Sequence, residues 1–454
     1  MSSPSPTRVG RSVVAATLIG NFTEWFDFAV YGAVAITLGR VFFPATDPVA
    51  SLLASLGVFG VAYIFRPFGG ALFGSLGDRR GRRVALSAAV IGISMATTLI
   101  ALLPSYAAIG FWAPLLLVLL RAVQGLSAGG EWTSASAFLA EYAPDGRRGA
   151  HASLISASGG LAIVAGIAVV LGLESVLDPA QMESWGWRLP FLLAAPLGLV
   201  GLYLRLRLDE TPVYRALRSH DAVSATPLRE ALQTQRRALV LSFACASVTG
   251  VGFYYLATYF ANAMSVGGTR TEALLVSSIA LVFYVTMCPV MGRLSDRIGR
   301  RPIYVGGAIA LGVLAAPVLV LVDSGSPVLA LLGMCLFAIP QAGLNVMCSI
   351  VLVELFPART RSSGAALAFS LGVGPIAGSA PLVAAALAAA TGSPIAPALY
   401  LMAIALPIGL VLSRRLPETA GRPLTDLPEP EEREKPFTAD LPAQGVHVGA
   451  PTPR

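Results

Sequence analysis

The chain has 454 residues, of which 55% are hydrophobic and 13% are charged, and its mean hydropathy is +0.72. Soluble proteins carry about 25% charged residues, so this composition excludes a soluble globule and indicates a protein of the lipid bilayer. The net charge of +7 comes from arginine, because Lys435 is the single lysine.

Residue usage also excludes several kinds of chemistry. With one lysine near the end of the chain, no GxxxxGK[ST] loop can bind a nucleotide. The four cysteines lie inside apolar stretches without CxxC spacing, and the three histidines are scattered, so we expect no metal site. We therefore expect neither an enzyme nor a nucleotide-binding protein.

Twelve apolar stretches follow one another along the chain, each long enough to cross about 30 Å of hydrocarbon as a helix. Six are predicted at 13–38, 49–72, 84–103, 113–138, 151–172 and 189–206. Six more are predicted at 238–264, 273–291, 303–321, 328–355, 364–390 and 396–412. The sequence predicts an all-α polytopic membrane protein with twelve transmembrane helices.

The arginines indicate how the helices are oriented, because Lys and Arg collect in short cytoplasmic loops. Most arginines lie in the termini and in the loops that share a side with them, whereas Arg40, Arg188 and Arg270 lie near the opposite face. Both termini are predicted to be cytoplasmic, and the basic residues then indicate topology rather than nucleic-acid binding. The predicted parts are a cytoplasmic N-terminus (1–12), two six-helix bundles (13–207 and 238–416), a cytoplasmic loop (208–237) and a disordered cytoplasmic tail (417–454).

The two bundles carry an internal repeat. Residues 74–83 read GSLGDRRGRR and residues 292–301 read GRLSDRIGRR, identical at seven of ten positions. The sequences EYAP at 141–144 and ELFP at 354–357 are each followed by two arginines. Parallel repeats of this kind predict pseudo-symmetric halves with a substrate site between them and alternating access by rocking.

These paired loops resemble the motif of the major facilitator superfamily. The sequences GNFTEWFDFAVYG, RAVQGLSAGGEW, AEYAPDGRRG, WGWRLPF and LDETPVY resemble its metabolite:proton symporter branch, which includes bacterial proline and glycine betaine transporters. The resemblance extends to about Arg422. It implies the major facilitator fold and import of a small metabolite with a proton in the bacterial cytoplasmic membrane, driven by the proton gradient without a cofactor. It also implies a gating latch that includes Asp78, Arg79 and Arg82, and by the repeat Asp296, Arg297 and Arg300.

Three acids lie deep within predicted helices, Glu24, Asp27 and Glu131, all in the first half with Arg121. A charge at the bilayer centre costs roughly 2.5 to 3.5 kcal/mol on insertion scales, so each needs a partner, a proton or a wet cavity. We expect Arg121 to pair with Glu24 or Asp27 while another of the acids takes the coupling proton. A permanent ion-pair network is the alternative.

Helical periodicity brings further side chains beside these charges. One face of the first helix carries Asn21, Glu24, Phe28 and Tyr31. One face of the fourth helix carries Arg121, Gln124 and Glu131. We expect both faces to line the cavity, together with Trp25. Arg66 is expected to snorkel to the cytoplasmic interface, and Trp185, Trp187 and Arg188 to anchor the sixth helix at the outer one.

The second half contributes neutral groups, and the candidates are Tyr254, Tyr255, Thr258 and Tyr259 with Asn262, Gln341 and Asn345. Aromatic faces attract cations and bind quaternary ammonium groups, so a zwitterion such as proline or glycine betaine is the expected substrate. The alternatives are a small organic acid of the 2-oxoglutarate, citrate or shikimate type held by Arg121, an efflux carrier and a non-transporting receptor. Ordinary helix packing is the alternative role of the tyrosines.

Overall fold

The computed structural model describes residues 10–44, 48–267, 269–393 and 395–424, and these residues form helices joined by short loops. Eleven of the helices are long and apolar enough to cross a membrane, and a twelfth crossing is a pair of helices bent by 67° at Val34. The prediction of twelve transmembrane helices and no sheet is confirmed for this part of the chain.

The first half contains six spans. They are α1 (Arg11–Ala33 continued by Ala35–Phe42), α2 (Pro48–Arg80), α3 (Arg82–Leu102), α4 (Trp112–Tyr142), α5 (Arg148–Val176) and α6 (Pro179–Leu206). A single residue, Gly81, separates α2 from α3. Its φ of 110° is a conformation that residues other than glycine rarely adopt.

The second half repeats this pattern. Its spans are α7 (Arg236–Tyr254 continued by Tyr255–Tyr259 and Phe260–Gly267), α8 (Arg270–Ile298), α9 (Arg300–Val322), α10 (Pro327–Glu354), α11 (Arg361–Thr391) and α12 (Ala396–Arg415). Gly299, with φ of 98°, separates α8 from α9 as Gly81 does in the first half. Between the halves, the polar segment holds two short helices, Pro212–Ser219 and Pro227–Thr234.

The most extensive contacts between the halves are those of α2 with α11 and of α5 with α8, and α4 and α5 also contact α10. Small residues let the backbones meet: a Cβ on Gly74 would lie 2.7 Å from the Ser362 carbonyl oxygen, and one on Gly292 would lie 2.5 Å from that of Gly149. Close approach through small residues is the usual way for helices to associate in a bilayer.

We define the arginine-rich face as the end of the bundle that carries the loops at 79–83, 145–148, 293–301 and 357–361, together with the described ends of the chain. The tail was expected to be disordered from Pro417, but Thr419 and Leu424 are buried on this face. That expectation is wrong for residues 417–424, because the polar groups there bond to both halves. Residues 425–454 lie outside the described residues.

Candidate functional site

The deep charges of the first half form three buried ion pairs. Arg121 pairs with Asp27, Arg66 with Glu24, and Arg205 with Glu131, and all six side chains are almost completely buried. Each acid therefore has an arginine beside it, as burial of charge in a low-dielectric interior requires. Pairing of Arg121 with one of the first-helix acids is the arrangement that the sequence predicted.

The Asp27–Arg121 pair is embedded in the first half. Nη1 of Arg121 lies 3.3 Å from Oδ2 of Asp27 and donates to Oε1 of Gln124 at 2.8 Å. Asp27 Oδ1 accepts from Thr97 at 2.9 Å and from Gln124 Nε2 at 2.8 Å. The Arg121 guanidinium lies 4.2 Å from the Tyr31 ring centre. This arginine thus has both a carboxylate and neutral partners within reach.

The Glu24–Arg66 pair corrects the expectation that Arg66 snorkels to the interface. Arg66 is completely buried, because its side chain turns inward to Glu24 instead of following the helix toward water. Its guanidinium carbon lies 5.3 to 5.9 Å from the ring centres of Trp25, Phe28 and Tyr63. An arginine in contact with three rings and a carboxylate belongs to the interior of the protein.

The Glu131–Arg205 pair gives Glu131 a partner that the sequence analysis did not name. Arg205 Nη2 lies 2.5 Å from Glu131 Oε1, and the guanidinium also donates to the backbone carbonyls of Ala16 and Leu86. These contacts join α1, α3, α4 and α6, and all three nitrogens of this guanidinium donate hydrogen bonds. We interpret this pair as a structural staple, by which we mean an ion pair that holds these four helices together.

Aromatic side chains connect the ion pairs to the second half. The Trp25 ring is 5.1 Å from the Phe253 ring, and the Tyr254 hydroxyl donates to the Tyr63 hydroxyl at 2.8 Å. Phe253 in turn is 5.6 Å from Tyr284, whose hydroxyl accepts a 2.5 Å hydrogen bond from Asn345. The site therefore lies at the junction of the halves, on α1, α2 and α7.

Several predicted cavity residues are placed elsewhere. Asn21 donates to Ile155 O and Ser158 Oγ on α5, at 2.9 and 2.7 Å, and so faces that helix. Tyr255 donates to Pro397 O at 2.7 Å and packs its ring on Tyr259, 4.9 Å away, within the second half. These tyrosines are helix-packing residues in the described structure.

The structure also places Thr258, which was predicted to line the cavity, and the two tryptophans that were predicted to anchor the sixth helix. Thr258 is half-buried in the π-helical turn Tyr255–Tyr259 of α7, a kind of irregularity that often occurs at functional sites. Trp187, expected as an interfacial anchor, is fully buried and packs on Phe42 and Phe191, because the start of α6 contacts the Ala35–Phe42 segment of α1. Trp185 stays exposed, as an anchor would.

The predicted latch connects the two halves at the arginine-rich face. Asp78 accepts from the backbone N–H groups of Ser362 and Ser363 at the start of α11, at 3.1 and 2.8 Å. Asp296 accepts in the same way from Gly149 and Ala150 at the start of α5, at 2.8 and 2.9 Å. A carboxylate at a helix N-terminus is bound by free N–H groups and by the helix dipole.

The latch arginines divide into two kinds. Arg82 lies 3.2 Å from Asp78 and Arg300 lies 2.8 Å from Asp296, and both arginines are buried. Arg79 and Arg297 are exposed, and within the described residues no ion pair forms with them. The structure thus does not bring these two predicted residues into the latch.

Two buried glutamates complete the latch and were not among the predicted site residues. Glu141 bonds to Arg361 at 2.8 Å and Glu354 lies 3.9 Å from Arg148, so each glutamate joins its own half to the other. Thr211 and Thr419 donate to them at 2.5 and 2.6 Å. The repeat of EYAP and ELFP was the sequence signal that marked these glutamates.

Glu210 and Glu418 cap the helices α3 and α9 from the segments that follow α6 and α12. Glu418 accepts from the N–H groups of Arg300, Arg301, Thr419 and Ala420 at 2.8 to 3.1 Å. Burial alone would raise the pKa of the Glu418 carboxyl, but these four donors outweigh it and lower that pKa. At Glu210 burial dominates and raises the pKa above its usual value.

Within the described ranges no group of three histidine, cysteine or acidic side chains is placed to hold a metal ion. The cysteines there are unpaired, and three of the four are fully buried. The candidate site therefore consists of buried ion pairs and aromatic rings near the junction of the two halves.

Comparison with known proteins gives the family. Residues 13–237 match the family described as "Sugar (and other) transporter" and residues 243–443 the "Major Facilitator Superfamily". The chain is 40% identical over 91% of its length, and 84% of the relative's, to the glycine betaine/proline/ectoine/pipecolic acid transporter OusA of Dickeya dadantii. It is 38% identical to the proline/betaine transporter of Escherichia coli strain K12, over 91% of this chain and 85% of that one.

Solved structures show the same fold at low identity. The proton:xylose symporter XylE bound to 6-bromo-6-deoxy-D-glucose matches with a TM-score of 0.76 at 20% identity, over 91% of this chain and 97% of that one. The inward-open conformation of XylE from E. coli matches with a TM-score of 0.63 at 19% identity, over 91% and 98% of the chains. The twelve-helix bundle with its duplicated latch, and relatives that cover nearly all of it, show that this chain is a multi-pass membrane transporter of the major facilitator superfamily.

Proposed function

We propose that the protein imports a zwitterionic compatible solute, such as proline or glycine betaine, together with a proton. The observation that carries this proposal is the charge balance of the interior, where three deep acids face three deep arginines. A zwitterion adds no net charge to such a site, whereas citrate or 2-oxoglutarate would add several negative charges. The relatives reported above are named for zwitterions, which agrees with this reasoning.

The proton site that the geometry favours is Asp27. When Asp27 is neutral, Arg121 keeps its 2.8 Å bond to Gln124 and its position on the Tyr31 ring, so this arginine is not stranded. Thr97 and Gln124 also continue to bond the aspartate. The Glu131–Arg205 staple has no neutral substitute of this kind, and the Glu24–Arg66 pair has another role, described below.

We also propose the orientation and the gating. The arginine-rich face is cytoplasmic, in keeping with the positive-inside rule, and both termini lie on that side of a bacterial cytoplasmic membrane. Asp78 and Asp296, with Arg82 and Arg300, hold the cytoplasmic ends of the halves together until the transporter opens inward. No cofactor other than the proton gradient takes part.

The test is uptake into proteoliposomes. Purified protein is supplied with radiolabelled glycine betaine, proline, 2-oxoglutarate or citrate, with and without an inward proton gradient. We expect gradient-driven accumulation of the two zwitterions that a protonophore abolishes, and no accumulation in protein-free liposomes. Accumulation of a carboxylate instead, or zwitterion uptake that stops at equilibrium under a proton gradient, would overturn the proposal.

A further inference from the structure

The Glu24–Arg66 pair lies where the two halves meet. Its arginine is surrounded by Trp25, Phe28 and Tyr63 of the first half. Of these, Trp25 contacts Phe253 and Tyr63 is hydrogen-bonded to Tyr254, both on α7. When the halves rock apart on this side, those two contacts must open, and the pair behind them becomes accessible.

This pair also has unused hydrogen-bonding groups. Arg66 Nε and Nη1 and Glu24 Oε2 are buried and have no hydrogen-bond partner within the described residues. The other two pairs differ: both Asp27 oxygens are bonded, and both Glu131 oxygens contact Arg205. Arg121 has spare N–H groups as well, but its aspartate, Gln124 and its rings all belong to the first half.

Spare donors on a guanidinium fit a carboxylate, and a spare carboxylate oxygen beside aromatic faces fits a substituted ammonium group. Resting on the proposed function, we propose that the zwitterion inserts into the Glu24–Arg66 pair. Its carboxylate takes Arg66, and its cationic group takes Glu24 and the faces of Trp25, Phe28 and Tyr63. One ion pair becomes two, and the buried site stays neutral throughout.

This arrangement separates solute recognition from proton coupling. Glu24 remains ionised while the solute is bound, because the cationic group replaces Arg66 as its partner. The coupling proton then binds Asp27, which is engaged with Arg121, and the guanidinium groups of Arg121 and Arg66 both lie against Phe28. Glu24, which the sequence placed among the proton-coupling acids, is here a substrate-binding residue.

The test uses glycine betaine and its carbon isostere 3,3-dimethylbutanoate, which has the same shape and carboxylate but no positive charge. Binding to purified protein is measured by competition with labelled glycine betaine and by calorimetry. In the unchanged protein the isostere should bind on the order of 30-fold more weakly than glycine betaine, because it leaves Glu24 buried without a cation. Equal binding of the two ligands would overturn the proposal without any variant.

Glu24→Gln should reverse this preference. The variant should lose affinity for glycine betaine and gain affinity for 3,3-dimethylbutanoate, since the anion then neutralises Arg66. A gain of binding cannot result from misfolding. Glu24→Asp, which keeps the charge, should keep the preference for the zwitterion, and Glu183→Gln, in an exposed pair with Arg40, is the matched control.

Arg66→Gln should change selectivity in the opposite direction. Glycine betaine should bind more weakly, and the cationic carboxamide of glycine betaine should bind better than it does to the unchanged protein. If Glu24→Gln and Arg66→Gln both fold and both keep the order of affinities of the unchanged protein, the pair does not hold the solute. Failure of the proposed function looks different, because the unchanged protein would then bind neither glycine betaine nor proline.

Discussion

At the scale of single residues, the three buried ion pairs differ in how many alternatives each partner has. Arg121 can rely on Gln124 and aromatic rings, Arg66 has free N–H groups at the junction, and Arg205 is surrounded by acceptors. On these differences rest the proposals that Asp27 takes the proton, that Glu24 and Arg66 bind the solute, and that Glu131 and Arg205 have a structural role.

Asp27→Asn should uncouple transport. The amide mimics the protonated acid, so the variant should still exchange labelled for unlabelled solute across the membrane but should not accumulate it against a gradient. Exchange and gradient-driven uptake are compared in the same proteoliposome preparation. Gradient-driven accumulation by this variant at the level of the unchanged protein would contradict the assignment.

Glu131→Gln should destabilise the fold, because it leaves Arg205 buried without its carboxylate, at a cost of about 3 to 5 kcal/mol. The double variant Glu131→Gln/Arg205→Met should recover much of that loss. Thermal unfolding in detergent measures both, and Glu183→Gln, in an exposed pair worth about 0 to 1 kcal/mol, is the control. A stable Glu131→Gln with unimpaired packing would show that the staple is unimportant.

The sequence showed the acids but not all their partners. Glu24, Asp27, Glu131 and Arg121 stand out because charges within apolar helices are rare. In the spans predicted from the sequence, Arg66 and Arg205 lie nearer the helix ends, where a long side chain can reach water or turn inward, and helical periodicity does not distinguish these outcomes. The available signal was the number of deep acids, because three buried acids need three cationic partners and only Arg121 had been placed deep in a helix.

At the scale of helices, the proposed latch places a carboxylate from one half on the N-terminus of a helix in the other. Asp78 does this to α11 and Asp296 to α5. Because two such contacts act in parallel, loss of one should weaken closure of the arginine-rich face and loss of both should weaken it further.

Asp78→Asn should lower the transport rate more than the affinity for solute, since one amide oxygen replaces the charged acceptor of two N–H groups. Labelling of a cysteine introduced at Ser362, in a background without the native cysteines, should be faster in Asp78→Asn than in the parent. The double variant with Asp296→Asn should label faster still. Unchanged rates of transport and labelling would remove the latch role.

At the scale of the whole molecule, the halves meet through pairs of small residues arranged with the same pseudo-symmetry as the latch. Gly74 on α2 lies against Ser362 on α11, and Gly292 on α8 lies against Gly149 on α5. We therefore expect closure of the arginine-rich face to depend on the absence of a side chain at Gly74 and Gly292 as well as on charges.

Gly74→Val should hold the arginine-rich face open, because a Cβ there would lie 2.7 Å from the Ser362 carbonyl oxygen and cannot be accommodated. Transport should fall strongly while the protein stays folded, and the distance between spin labels on the two halves at that face should increase. Gly306→Val, where a Cβ meets nothing within 4 Å, is the control. An unchanged distance distribution in Gly74→Val would contradict this reading of the interface.

The sequence predicted the twelve spans and the duplicated loops well, because length, apolarity and repetition are properties of the chain itself. The bend at Val34, the burial of Trp187 and the ordered segment through Leu424 were not predictable, since each depends on packing between distant helices. In the same way the sequence does not show which tyrosines of α7 face the other half. Tyr254 faces Tyr63 at the junction, whereas Tyr255 turns to Pro397.

The most direct measurement is the transport current of reconstituted protein on a supported membrane. A zwitterion that moves with a proton carries one positive charge, so glycine betaine should evoke an inward positive current that grows as the external pH falls and is absent in Asp27→Asn. Citrate and 2-oxoglutarate should evoke none. Uptake of labelled glycine betaine without any current, or a current independent of the proton gradient, would contradict proton-coupled symport of a zwitterion.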